Sequence, residues 1–240
     1  MRAKYLIAMD PGQKQDPAAI QLYRATPVMD HPKGPLDAVR YLTYDDVIAQ
    51  WSLADKRYTY LGDFVFRLMG MKELQAQAVL VFDATGVGAA VKDILHDKGV
   101  RDMVPIVYTA GGKVSYIYKD ASDKRFQMRG AHQIDLRVFD EIHVPKADMV
   151  DAAVVALEQH QVRIAPDVDY RDEFKKQMTE FTGKMSAKGY VSYNNSSDDI
   201  HDEWVNCLMM RSWYRRFFAK EARDGIYLGD SKPEMAEVIG

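Results

Sequence analysis

Apolar and polar residues alternate between two rhythms along this chain, and the changes of rhythm mark its elements. Tyr5 to Met9 (YLIAM) is an unbroken apolar run ending at Asp10-Pro11-Gly12, which predicts a buried strand stopped by a turn. Ala18, Ile20, Leu22 and Tyr23 follow Asp16-Pro17 and suit the return arm of a hairpin with GQKQD at its tip. Thr26 to Pro35 is rich in Pro and Gly and predicts a loop, while Tyr41 to Asp55 is ambiguous, with a strand expected near Ile48 to Leu53. From Tyr58 to Met71 the rhythm slows: Leu61, Phe64, Val65, Leu68 and Met69 recur every third or fourth residue, as on a helix with one buried face.

The clearest unit comes next. Ala78 to Phe82 (AVLVF) predicts a buried strand with Asp83 at its C-terminal end. Gly86 and Gly88 make a turn, Val87 to His96 predicts a helix closed by Gly99, and Val104 to Tyr108 (VPIVY) predicts another buried strand. Strand, helix and strand joined by short connections form a βαβ crossover, which requires parallel strands and a right-handed connection. Beyond Gly111-Gly112 the pattern is polar and irregular to about Glu141. A helix is expected from near Ala147 after Pro145, with Val150, Ala153, Val154 and Leu157 on one face. A short RIAP segment, a charged helix over Tyr170–Phe181, a short strand at Gly189–Tyr193, a polar loop at Asn194–Ser197 and a last helix from about Glu203 to Phe218 complete the order. The expected fold is α/β: a mixed sheet with an N-terminal antiparallel hairpin, flanked by helices.

Composition narrows the possibilities. With 47% hydrophobic, 28% charged and 11% aromatic residues among 240, the chain is too apolar for disorder and long enough for a sizeable core. No run approaches the roughly 18 apolar residues of a membrane span, and the N-terminus does not read as a signal peptide, so no membrane partner and a cytosolic location are expected. Cys207 is the one cysteine, which excludes an internal disulfide and a multi-thiolate zinc site. Any metal must then have oxygen or imidazole ligands. The formal charge is −3, from 35 acids and 32 bases, which argues against broad nucleic-acid binding over the whole surface but allows a local patch.

Three acidic positions stand where chemistry would use them. Asp10 ends the first strand, Asp83 ends a central strand, and Asp198 to Glu203 (DDIHDE) opens the last helix. Each has a plainer reading alone: Asp before Pro-Gly forms turns, Asp83 or Thr85 can cap a helix, and an acidic first turn suits the helix dipole. Together they gain weight, because in an open α/β sheet the C-terminal strand ends form the ligand crevice. Asp10 and Asp83 would meet there if their strands are neighbours. Carboxylates gathered in one place repel unless a cation bridges them, and Mg²⁺ or Mn²⁺ prefers oxygen ligands.

The ordered set AMDPGQKQDPAAI, VLVFDATGVGAAVKDIL and HDEWVNCL resembles the C-terminal nuclease domain of the large terminase subunit of tailed bacteriophages, within the RNase H-like (retroviral integrase) superfamily. The similarity runs from about Lys4 to Phe218 and includes VPKADMV at 144–150. It implies a nuclease domain over 1–220 with a charged tail at 221–240, two divalent ions, Mg²⁺ or Mn²⁺, and metal-binding catalytic acids at Asp10, Asp83 and Asp202. Relatives typically carry His-Asp-Asp or His-Gly-Asp before the last helix, whereas this chain reads His201-Asp202-Glu203. Asp202 is therefore favoured as third ligand, with Glu203 and Asp198 as alternatives, His201 and Asp198 as outlying contacts, and Asp16 ordering the hairpin tip.

The implied activity is endonucleolytic cutting of concatemeric viral DNA during genome packaging, in the host cytoplasm. The expected partners are double-stranded DNA, a motor domain, the portal and the small terminase subunit. No G-x-x-x-x-G-K-[ST] motif occurs, so ATP binding by this chain is not expected and it reads as an isolated nuclease domain. Lys113, Lys119, Lys124, Arg125 and Arg129, interleaved with Tyr116, Tyr118 and Phe126, are candidate phosphate contacts, as are Arg211, Arg215, Arg216 and Lys220 on and after the last helix. Other RNase H-like nucleases such as junction resolvases, an actin-like nucleotide-binding protein and a non-catalytic docking module remain the competing readings.

Overall fold

The computed structural model describes residues 4–12, 16–30, 40–54, 57–119, 139–185, 191–195 and 201–217. The chain opens with β1 (Tyr5–Asp10), β2 (Ala18–Asp30) and β3 (Arg40–Leu53), an antiparallel meander, followed by α1 (Tyr58–Met69). The crossover then follows as β4 (Ala78–Asp83), α2 (Val87–Asp97) and β5 (Met103–Thr109), and β4 and β5 are parallel. Next come β6 (Ser115–Tyr118), β7 (Phe139–Pro145), α3 (Lys146–Glu158), β8 (Val162–Ile164) and α4 (Arg171–Glu180). A small two-stranded sheet, β9 (Phe181–Met185) and β10 (Val191–Asn195), precedes α5 (Glu203–Phe217).

The main sheet has eight strands in the order β6-β7-β5-β4-β1-β2-β3-β8. At its centre β1, β4, β5 and β7 run parallel, so their C-terminal ends share one edge. Alternate residues of these strands feed two cores, one on each face. Ile7, Met9, Leu80 and Phe82 pack with Leu61, Val65, Val91 and Leu95 of α1 and α2. Leu6, Ala8, Val79 and Val81 pack with Met149 and Ala153 of α3 and Trp204, Leu208 and Trp213 of α5. Residues Glu203 to Tyr214 of α5 are all buried, so this helix is the middle of the molecule rather than a surface element.

The expected fold class, a mixed sheet flanked by helices with an N-terminal hairpin, is the observed one. Five local expectations differ. The buried face of α3 is Met149, Ala152, Ala153 and Ala156, which leaves the expected Val154 and Leu157 exposed. The loop expected from Thr26 is strand as far as Asp30, and β3 is strand from Arg40; residues 31–35 lie outside the described residues. Among the described residues the β1–β2 ladder ends before Pro27, which pairs with Thr43 of β3. The irregular stretch after Gly111 contains β6 and the start of β7, a strand hidden in sequence by its charges Asp140 and Glu141. Phe181 begins β9 instead of ending α4, and Asn194 and Asn195 belong to β10 instead of a loop. The tail 221–240 lies outside the described residues.

One irregularity has consequences for the interior. Leu22 pairs with Ala49 but Tyr23 pairs with Val47, so Ile48 is an extra residue and β3 carries a bulge. Ala49, Trp51 and Leu53 face the α1/α2 core, whereas Val47 faces the α5 core. The bulge thus reverses the facing of β3 and turns Asp45 inward toward α5. There Arg211 Nε lies 2.7 Å and Arg215 Nε 2.9 Å from Asp45 Oδ2. Arg211 and Asp45 are almost wholly buried. These two arginines therefore hold the fold together, and their expected role as phosphate contacts is wrong: the last helix lies inside the molecule, and Asp45 already occupies both guanidiniums.

Candidate metal centre

The last register pair between β1 and β4 is Met9–Phe82, so Asp10 and Asp83 stand one step beyond it at adjacent strand ends. Both follow the side-chain direction of Leu6/Ala8 and Val79/Val81, toward α5. The main chain around them is drawn tight. Gly12 N donates to Asp10 Oδ1 at 3.0 Å, and Thr85 N donates to Asp83 Oδ1 at 2.7 Å. A Cβ added at Gly88 would collide with the Asp83 carbonyl, so only glycine lets the first turn of α2 sit this close. The Thr85 hydroxyl accepts from Tyr108 N at 2.9 Å, tying the end of β4 to the end of β5.

The N-terminal end of α5 closes the space above these two acids. Asn206 Nδ2 donates to Asp10 Oδ2 at 2.8 Å and to Asp202 Oδ1 at 3.2 Å, so one amide bridges the first-strand acid and the last-helix acid. Lys146, the first residue of α3, places Nζ 3.6 Å from Asp202 Oδ2. His201 Nδ1 lies 3.0 Å from Asp16 Oδ1 and links the hairpin tip to the approach to α5. These groups enclose a cleft of about 300 Å³ lined by Asp10, Gly12, Asp16, Asp83, Thr85, Tyr108, Lys146, His201, Asp202, Glu203 and Asn206.

Burial and mutual repulsion strain the carboxylates of this cleft. Burial, followed by the neighbouring Asp10 charge, pushes the Asp83 carboxyl up to about 7. Burial likewise raises Asp10 above the usual carboxylate range, despite its bonds from Gly12 and Asn206. Burial also lifts Glu203 to about 7. Among the described residues, five carboxylate side chains thus face one lysine and one histidine. A cation added between them would relieve the excess negative charge.

The donor set suits a hard divalent ion. Asp10, Asp83, Asp202 and Glu203 could supply carboxylate oxygens, and no thiolate is present, since Cys207 is buried against the Ala8 and Ala19 carbonyls. Among the described residues, no three Asp, Glu, His or Cys side chains are already gathered around a single point. Asn206 holds Asp10 and Asp202 apart by bonding both.

All the expected acids that are described, Asp10, Asp83, Asp202 and Glu203, line this cleft together with His201 and Asp16. Asp198 lies outside the described residues, as do Lys124, Arg125 and Arg129. Lys113 and Lys119 are exposed and lie away from the cleft lining. Sequence reasoning missed Thr85, Tyr108, Lys146 and Asn206. Asn206 carries a legible signal, since it follows Asp202 by one helical turn on the same face. Tyr108 and Lys146 occupy the same sheet edge as Asp10 and Asp83, at the ends of β5 and β7, but the position of Lys146 becomes visible only once β7 is recognised as a strand.

The fold has known counterparts. The nuclease of the large terminase from thermophilic phage G20c is 15% identical, with 89% of this chain and 82% of that chain covered and a TM-score of 0.52. The same nuclease with bound magnesium is 17% identical, covering 87% and 79% of the two chains with a TM-score of 0.51. A mutant form of the large terminase subunit of bacteriophage Sf6 with calcium is 10% identical, covering 88% of each chain with a TM-score of 0.54. At such identities the likeness is one of fold: the chain has the RNase H-like fold of large terminase nuclease domains. No protein-family model matches the chain, and no curated protein sequence matches it.

Proposed function

We propose that this chain is a divalent-metal-dependent endodeoxyribonuclease that cuts concatemeric viral DNA during genome packaging. One observation carries the reading: Asp10 and Asp83, at the ends of adjacent parallel strands, are buried side by side with Asp202 and Glu203 above them and too little cationic charge to balance them. The fold shared with terminase nucleases, one of them with bound magnesium, supports it.

In this reading Asp10 and Asp83 would hold one Mg²⁺ or Mn²⁺, and Asp10 with Asp202 would hold a second, with Glu203 and Asp198 as the alternatives to Asp202. Ions held there would supply Lewis-acid chemistry toward a water and the attacked phosphate. The chain's own residues prepare that site. The Gly12 and Thr85 amides each fix one oxygen of a strand-end acid, and Asn206 engages the second oxygen of Asp10. Asn206 orients Asp10 and Asp202 together. Glu203, buried beside Asp10, is a further carboxyl whose ionised form a bound cation would favour.

Double-stranded DNA is the substrate, and the exposed Lys113 and Lys119, with Lys124, Arg125 and Arg129 beyond the described residues, meet its phosphates. The nuclease occupies residues 1–220, with 221–240 as a tail. It works in the host cytoplasm beside a motor domain, the portal and the small terminase subunit. Among the described residues no helix is long and apolar enough to cross a membrane.

The test is cleavage of supercoiled plasmid in Mn²⁺ and Mg²⁺. Wild type should nick and linearise it, while Asp10→Asn and Asp83→Asn should each lose on the order of 10³-fold or more in rate with the fold intact. Cleavage at the wild-type rate by a folded double variant would overturn the reading.

A further inference from the structure

We propose that Lys146 is a catalytic residue of this site, whose ammonium binds a non-bridging oxygen of the scissile phosphate. This rests on the nuclease reading given above. Among the described residues, Lys146 is the sole lysine or arginine lining the cleft, against five carboxylate side chains. A DNA phosphate entering that space meets repulsion that cations must offset, and Lys146 is the one lysine or arginine that the described residues supply there.

Its placement is costly for the fold. Lys146 is the first residue of α3, where the positive end of the helix dipole disfavours a cation by about 0.3–1 kcal/mol. No side chain caps this helix end either. The position does set the side chain at the C-terminal end of β7, on the same sheet edge as Asp10 and Asp83.

The ammonium is also held loosely. It lies 3.6 Å from Asp202 Oδ2, beyond hydrogen-bond distance, and 5.9 Å from the ring centroids of both Tyr108 and Phe181. Lys92 provides the contrast, because its ammonium makes bonds of 2.8 Å to Glu141 and 3.1 Å to Asp140 and is spent as a tie between α2 and β7. Two aromatic faces steer the Lys146 ammonium without consuming its donors, which leaves three N–H groups to offer a substrate. An ammonium has no lone pair for a metal, so its counterpart must be an anion.

In the hydrolysis a water oxygen bonds to phosphorus, the bond from phosphorus to the 3′ oxygen breaks, and the departing oxygen ends as a hydroxyl. Lys146 forms no covalent bond and gives up no proton in that exchange. It stabilises charge that grows on the non-bridging oxygen in the transition state, so its removal should act on kcat more than on KM.

The experiment measures kcat and KM for plasmid cleavage in Mn²⁺, together with calorimetric Mn²⁺ binding, for wild type, Lys146→Gln, Lys146→Arg and Asp83→Asn. Lys146→Gln should lose about 10²-fold in kcat with little change in KM. It should bind Mn²⁺ at least as tightly as wild type, since a competing cation has gone, and Lys146→Arg should recover part of the rate. Wild-type kcat in Lys146→Gln, while Asp83→Asn is inactive, would overturn this inference and leave the nuclease reading standing. Loss of Mn²⁺ binding in step with kcat would also overturn it, because Lys146 would then act by arranging the acids. Full activity in Asp83→Asn would instead overturn the nuclease reading itself.

Discussion

Helix α5 carries two buried charge clusters two to three turns apart, and they are built on opposite principles. At its start, Asp202 and Glu203 join Asp10 and Asp83 in a cleft where acids outnumber bases. Further along, Arg211 and Arg215 close on the single carboxylate of Asp45. Burial pushes the Asp45 carboxyl up, but the two guanidiniums outweigh it and hold the group below its ordinary value. Burial at Asp83 is reinforced by a second acid, and the group rises to about 7. A buried carboxylate matched by the protein's own cations serves the fold. One left unmatched by its own chain leaves room for a cation from solution, and the same helix fixes both.

The comparison breaks most visibly at Asp45. Asp45→Ala leaves two buried guanidiniums without their anion and should cost about 3–5 kcal/mol, a drop on the order of 10 °C in melting temperature by calorimetry. Cleavage per folded molecule at low temperature should be preserved, because the cleft does not include Asp45. A variant that melts normally would show that the pair contributes little.

The dependence on pH separates the two clusters as well, because they have opposite signs. Asp83 and Glu203 have folded values raised to about 7, so their penalty is absent below the ordinary carboxylate value and grows as pH rises to about 7. Metal-free protein should therefore lose stability between about pH 4 and pH 7 from this cleft, and Asp83→Asn should lose less. Asp45 contributes stability that is present above its ordinary value and lost as pH falls through its lowered one. Melting curves of wild type and Asp83→Asn across pH 5 to 8 check this, and parallel curves would remove the claim that Asp83 is electrostatically unmatched.

Much of this contrast was open to reading from sequence. The runs YLIAM and AVLVF end in Asp10 and Asp83 because a buried parallel strand must be apolar until it emerges, and emergence is where a ligand can be met. The charged approach His201-Asp202-Glu203 to the last helix was legible for the same reason. What sequence did not disclose depended on long-range register. Arg211 and Arg215 looked like surface bases because nothing local says that a bulge at Ile48 turns Asp45 toward them. Lys146 is hidden in sequence because β7 is interrupted by Asp140 and Glu141, whose charges are absorbed by Lys92 on α2, 48 and 49 residues away in the chain.

The central claim is that the strand-end acids form a site for divalent ions. Calorimetric titration of Mn²⁺ into wild type, Asp83→Asn and Asp45→Ala at pH 8 and low temperature tests it directly. Wild type and Asp45→Ala should bind with similar affinity, and Asp83→Asn should bind at least about tenfold more weakly, a difference of about 1.4 kcal/mol. Equal binding by wild type and Asp83→Asn would contradict the account.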